Sequence, residues 1–126
     1  KKAIECTKVP LGFRFFLNLM VNGEPFFSNF VDQAYRKARE FYEVIQSETD
    51  FSCPFEPESN ILLFRFREGD GLEEKIYEAL IKDGSFYVTK AIVGETVYLR
   101  LTIMNSLTDS DTIKQLLEKI RALADQ

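Results

Sequence analysis

The sequence predicts an α+β fold: a small antiparallel sheet of three to four strands with helices on one face, preceded by two helices. Three observations lead there. Residues 96–105 (TVYLRLTIMN) alternate strictly, so Val97, Leu99, Leu101 and Ile103 share one face while Tyr98, Arg100 and Thr102 share the other. Residues 25–47 place Phe27, Phe30, Val31, Ala34, Ala38, Phe41 and Ile45 three and four apart, the period of an amphipathic helix with a solvated outer face. The periodic stretches follow one another as α-α-(β)-β-α-β-β-α, and the last five elements make a layer of strands packed under helices.

Each element has its own local grounds. Proline disfavours helix in the residue before it, so after Pro10 a new element starts near Leu11. From Leu11 to Val21 the pattern LGFRFFLNLMV is apolar on nearly every side. Such a helix alone exposes Phe13, Phe16, Leu17 and Met20, a patch of the kind that marks a contact surface and points to a partner. Asn22-Gly23-Glu24-Pro25 stops that helix and starts the next, and the charge run Arg36–Glu40 on the second helix reads as side-chain pairing on a wet face. Phe51-Ser52-Cys53 reads as a short edge strand and Pro54–Ser59 as a loop. Ile61–Arg67, apolar on both faces, reads as a strand covered on both sides. Glu68-Gly69-Asp70-Gly71 reads as a tight turn and helix cap, too short for a calcium loop. Leu72–Lys82 is an amphipathic helix with Leu72, Ile76, Ala79 and Leu80 inward, ended by Asp83-Gly84. Ser85–Val93 and Thr96–Met104 form a hairpin across Gly94-Glu95. The last helix is capped by Thr108 or Asp109 and turns Ile113, Leu116, Leu117, Ile120 and Leu123 inward.

Composition excludes several functions. With 126 residues, 45% apolar and 29% charged, the chain reads as one globular domain, with residues 1–22 as connecting segment and helix and 25–126 as the α/β layer. A net charge of −4 with interleaved cations argues against nucleic acid or an anionic membrane surface as partner. No apolar run is long enough to span a bilayer. Cys6 and Cys53 match no metal spacing, and free thiols in a cytoplasmic protein are the default reading. Histidine is absent, which removes Ser-His and Cys-His nucleophile pairs, imidazole acid–base chemistry and most zinc sites from this chain. The chain begins Lys1-Lys2 and reads as a piece of something larger.

One residue stands out as a binding candidate. Arg100 lies on the polar face of its strand, between the Tyr98 hydroxyl and Thr102, a setting suited to gripping a carboxylate with the planar guanidinium. By spacing alone the favoured reading is a surface arginine on a wet sheet face. No residue of the chain is picked out as catalytic, as a metal ligand or as a cofactor anchor.

Four segments in order resemble a known family. They are Ile4-Glu5-Cys6-Thr7-Lys8 with Gly12-Phe13-Arg14-Phe15-Phe16, then Gly23, then Asn60-Ile61-Leu62-Leu63-Phe64-Arg65, then residues 97–105 with Thr108 and the closing helix. Over nearly its whole length the chain resembles the C-terminal small domain of the pyridoxal phosphate-dependent group II amino-acid decarboxylases, which include glutamate, aromatic amino-acid and 2,4-diaminobutyrate enzymes. The resemblance implies a large N-terminal domain that binds the cofactor through a lysine following a histidine, a homodimer when full length, and an amino-acid substrate. It implies that the arginine at the Arg100 position meets the substrate carboxylate at the mouth of the active site. No His-Lys pair exists here, so Lys8, Lys82 and Lys90 are poor candidates for the cofactor lysine, and the isolated chain is expected to be inactive. Two other readings stay open: a self-standing α+β module for ligand binding or dimerisation, and the small domain of a sibling enzyme such as an aminotransferase or cysteine desulfurase. The all-apolar Leu11–Val21 helix speaks against the first, and the Asn60 and Arg100 strands against the second.

Overall fold

A computed structural model describes residues 10–67, 71–105 and 107–125. The chain divides into two compact units, residues 1–32 and 33–126, with the division falling inside the second helix.

In the first unit, α1 (Leu11–Asn22) stops at Gly23, whose φ of 75° is the positive value that glycine adopts without a Cβ penalty. Its N–H donates to the Leu19 carbonyl at 2.9 Å, which satisfies one of the carbonyls left open at a helix end. The next helix, α2 (Glu24–Gln46), begins with Glu24 and Pro25 in its first turn. Phe15 and Phe27 meet with ring centres 5.7 Å apart. Nothing in α1 is buried: Phe13, Phe16 and Met20 are 56%, 53% and 69% exposed.

The second unit carries the core. Its sheet has the order β1-β2-β4-β3, every pair antiparallel. The strands are β1 (Phe51–Ser52), β2 (Ile61–Phe66), β3 (Thr89–Val93) and β4 (Thr96–Thr102), with α3 (Glu73–Asp83) between β2 and β3 and α4 (Ser110–Ala124) at the end. Pairing of Phe64 with Leu99 and Leu62 with Leu101 puts these residues on one side of the sheet. Phe64, Leu62 and Leu99 are fully buried there against Phe41 and Ile45 of α2, Ile76 and Leu80 of α3, and Leu116 and Ile120 of α4. Each such side chain contributes about 1.5–3 kcal/mol by leaving water, which makes this contact layer the main source of stability. All three helices use one face of the sheet, as the alternation at Val97–Ile103 predicts.

Several ends differ from the sequence-based expectation by one residue, such as β2 stopping at Phe66 and not Arg67, and three differences are larger. The strand predicted from Ser85 begins only at Thr89, because the Ser85 amide and hydroxyl both donate to the Asp83 carboxylate and hold the chain in a turn after Gly84. Its partner ends at Thr102 and not Met104, although the Ile103 N–H still donates to the Asn60 carbonyl at 2.8 Å. The apolar stripe of α2 is buried only from Ala34 onward. Phe30 and Val31 are each 45% exposed, since the first unit offers them only α1 and these turns to pack within. Most of the expected Glu68–Gly71 turn and cap, and Cys6, lie outside the described residues.

Candidate functional site

The sheet face turned away from the helices carries residues of the opposite parity: Ile61, Leu63 and Arg65 of β2, Tyr98, Arg100 and Thr102 of β4, and Thr89 of β3. Arg100 sits in the middle strand pair, opposite Leu63 on one side and Thr89 on the other. It is half-buried, on the face that the sequence predicts. The expected frame of Tyr98 and Thr102 is not the one that forms. Same-face neighbours along a strand are nearly 7 Å apart, roughly twice the rise per residue, whereas directly paired residues approach to about 5 Å. The Arg100 Nε–H therefore donates to Thr89 Oγ1 at 2.9 Å, and the Thr89 hydroxyl donates to the Arg100 carbonyl oxygen at 3.2 Å. Among the described residues no carboxylate pairs with the Arg100 guanidinium.

Tyr98 is engaged elsewhere. Its ring lies 5.8 Å from the Arg65 guanidinium carbon and meets the Phe55 ring edge-on at 5.7 Å. Arg65 Nε donates to Glu73 Oε1 at 2.9 Å, and Glu73, only 2% exposed, is a carboxylate buried at the edge of the core. Burying one carboxylate is tolerated because a guanidinium hydrogen bond compensates its lost hydration. The loop 54–59 thus crosses part of this face and bounds a cleft of about 640 Å³ whose sheet wall is Ile61 and Leu63, the latter being Arg100's cross-strand neighbour. Arg100 is neither beneath the helices nor capped by that loop.

Thr89 and Glu73 were not singled out by sequence reasoning, and both left a signal. A two-residue turn at Gly94-Glu95 brings Thr89 opposite Arg100 by counting back along the hairpin. Glu73 falls three residues before Ile76 and seven before Leu80, on the inward stripe of α3.

A second cleft, of about 490 Å³, opens between residues 85–88, the end of β4 and α4. Phe86, Val88, Ile103, Met104 and Leu116 make it mainly apolar, and no acid, lysine or arginine lines it. Its polar groups are uncharged, the hydroxyls of Ser85, Tyr87, Thr102, Thr108 and Thr112 and the Asn105 amide, so Arg100 is the better candidate for holding an anion. Among the described residues no cluster of Cys, Asp or Glu is placed to hold a metal ion. No helix is long and apolar enough to cross a membrane. Cys53 is buried and free, and burial pushes its thiol up to about 11.

Among the described residues every lysine is either paired or exposed. An imine-forming lysine needs a neutral amine, which burial or neighbouring cations favour. Lys90 pairs with Glu74, which raises it instead, Lys119 pairs with Asp83, and Lys37 donates to the Thr108 carbonyl. Lys75, Lys82 and Lys114 are exposed.

Comparison with known proteins gives a fold. No family model matches the sequence, and no curated protein matches it. Solved structures do. The glutamate decarboxylase domain of diaminobutyrate-pyruvate transaminase and L-2,4-diaminobutyrate decarboxylase from Vibrio parahaemolyticus superposes with a TM-score of 0.81 at 22% identity, covering 89% of this chain and 25% of that one. Tryptophan decarboxylase from Catharanthus roseus in complex with L-tryptophan gives 0.75 at 23% identity over 89% and 25%. Oryza sativa TDC with PLP and tryptamine gives 0.77 at 19% identity over 90% and 26%. The chain spans about a quarter of the length of the structures it matches, and over that quarter it has the fold that they carry.

Proposed function

We propose that this chain is the C-terminal small domain of a pyridoxal phosphate-dependent group II amino-acid decarboxylase, and that Arg100 receives the carboxylate of its amino-acid substrate. The observation that carries the reading is Arg100 itself. It is a guanidinium on the sheet face away from the helices, tethered through Nε to Thr89 and unpaired with any carboxylate among the described residues. Such a group binds and orients a planar anion, and holding a substrate in the reactive geometry lowers the barrier without any proton changing place. The cofactor would be bound by a large N-terminal domain of the same protein, where it supplies the electron sink for loss of carbon dioxide. This chain contributes no anchor for it, and alone would be inactive.

The apolar surface of α1 supports a partner domain on that side. A self-standing module that worked through its open sheet face would have no use for a separate helix with Phe13, Phe16 and Met20 in water. The full-length protein would be a cytoplasmic homodimer, with neither nucleic acid nor membrane as partner.

The test is steady-state kinetics on the intact protein carrying this chain. A hydrogen bond to a charged group contributes about 1.5–3 kcal/mol, so Arg100→Ala should raise KM for the amino acid roughly ten- to a hundredfold. Arg100→Lys, which keeps charge but loses the fork, should fall between. An Arg100→Ala protein with unaltered KM refutes the role.

A further inference from the structure

We propose that Thr89 is the positioning residue for Arg100, fixing the guanidinium so that it meets a carboxylate end-on through its two terminal nitrogens. This rests on the reading of Arg100 as the carboxylate receptor, and adds which edge of the guanidinium is presented and what holds it there.

A threonine hydroxyl has one proton to give and lone pairs to accept with. Here the proton goes to the Arg100 carbonyl oxygen at 3.2 Å. The oxygen's acceptor side therefore faces the guanidinium, and it takes the Nε–H at 2.9 Å. The two bonds close a ring between one residue's main chain and its own side-chain head, with Thr89 as the link. Both residues sit in directly paired positions of the β3–β4 hairpin, so the ladder itself fixes their separation.

A guanidinium can meet a carboxylate through Nε and one terminal nitrogen, or through both terminal nitrogens. The first edge is occupied by Thr89. On the other flank the residue paired with the arginine is Leu63, whose side chain has no group that competes for hydrogen bonds. The remaining edge, with two parallel N–H groups, matches the two oxygens of a carboxylate. The arginine stem also loses less freedom on binding, because one of its donors is already held in the unbound protein.

Kinetics on the intact protein separate this from a structural role. Thr89→Val keeps the shape and strand preference of threonine and removes only the hydroxyl. It should raise KM about tenfold with kcat within about twofold. Thr89→Ser should restore both to within about twofold of the parent, and Thr89→Val should add nothing further in an Arg100→Ala background. A threonine that matters only to the strand gives the reverse order, with valine harmless and serine worse. If Thr89→Val leaves KM unchanged while Arg100→Ala raises it, the positioning role is overturned and the carboxylate reading survives. If Arg100→Ala also leaves KM unchanged, both fall. Independently of activity, the Arg100 Nε–H resonance should exchange slowly in the parent and quickly in Thr89→Val. Equal exchange in the two proteins overturns the contact.

Discussion

At the scale of single residues, the charged groups fall into those that hold the fold and those left over. Arg121 of α4 forks onto Asp50, with Nε and Nη2 each 2.6 Å from a carboxylate oxygen, and also reaches Glu48 at 2.6 Å. The Arg121 hydrogen bond holds the Asp50 carboxyl below its ordinary 3.8. Lys119 and Ser85 do the same for Asp83, as Thr112 does for Asp109. An acid with a depressed pKa in the folded state adds stability that is complete above its unfolded value and lost as pH falls through the folded one. The melting temperature should therefore stay nearly flat from pH 7 to about 5 and drop below about 4. Asp50→Asn should lower the neutral-pH plateau and make the acid fall shallower. An Asp50→Asn profile parallel to the parent's would show that the Arg121 clamp does not contribute. Arg100 belongs to the other class, a cation with no carboxylate partner among the described residues. Its face was legible in the sequence because period two decides sides without knowledge of the neighbours. Its tether was not read there, because Thr89 becomes its neighbour only through the register of another strand.

At the scale of elements, periodicity gave the right type for each helix and strand it placed, and the largest misplaced end, the start of β3, traces to a local hydrogen bond. Ser85 looked like the first residue of a strand until its bonds to Asp83 pinned it in a turn. In α2 the apolar spacing runs unbroken from Phe27 to Ile45, yet burial begins at Ala34, since spacing says which side is apolar and not what covers it. The start of α4 is the clearest case of local chemistry fixing a boundary. Asp109 Oδ1 accepts from the Thr112 N–H at 2.9 Å and from its hydroxyl at 2.7 Å. Asp109→Ala removes that cap and should lower stability. A urea titration should show it as a lower midpoint at constant slope, and an unmoved midpoint would mean the cap is redundant.

At the scale of the whole molecule, the notable asymmetry is between a dry core in residues 33–126 and an α1 that buries nothing. Expressed as residues 1–126, the chain should self-associate through Phe13, Phe16 and Met20. Replacing the three by serine should return a monomer in sedimentation with no loss of melting temperature, because none belongs to the core. A parent chain that is already monomeric at high concentration would argue against a contact role for that helix. The β3–β4 hairpin carries a consequence for how such a protein can change over time. A two-residue turn sets which side chains on its arms lie abreast, and slipping that pairing by one step would swap Thr89 for a residue of the opposite side. Insertions or deletions between Val93 and Thr96 should therefore be purged from any lineage that needs this anion grip.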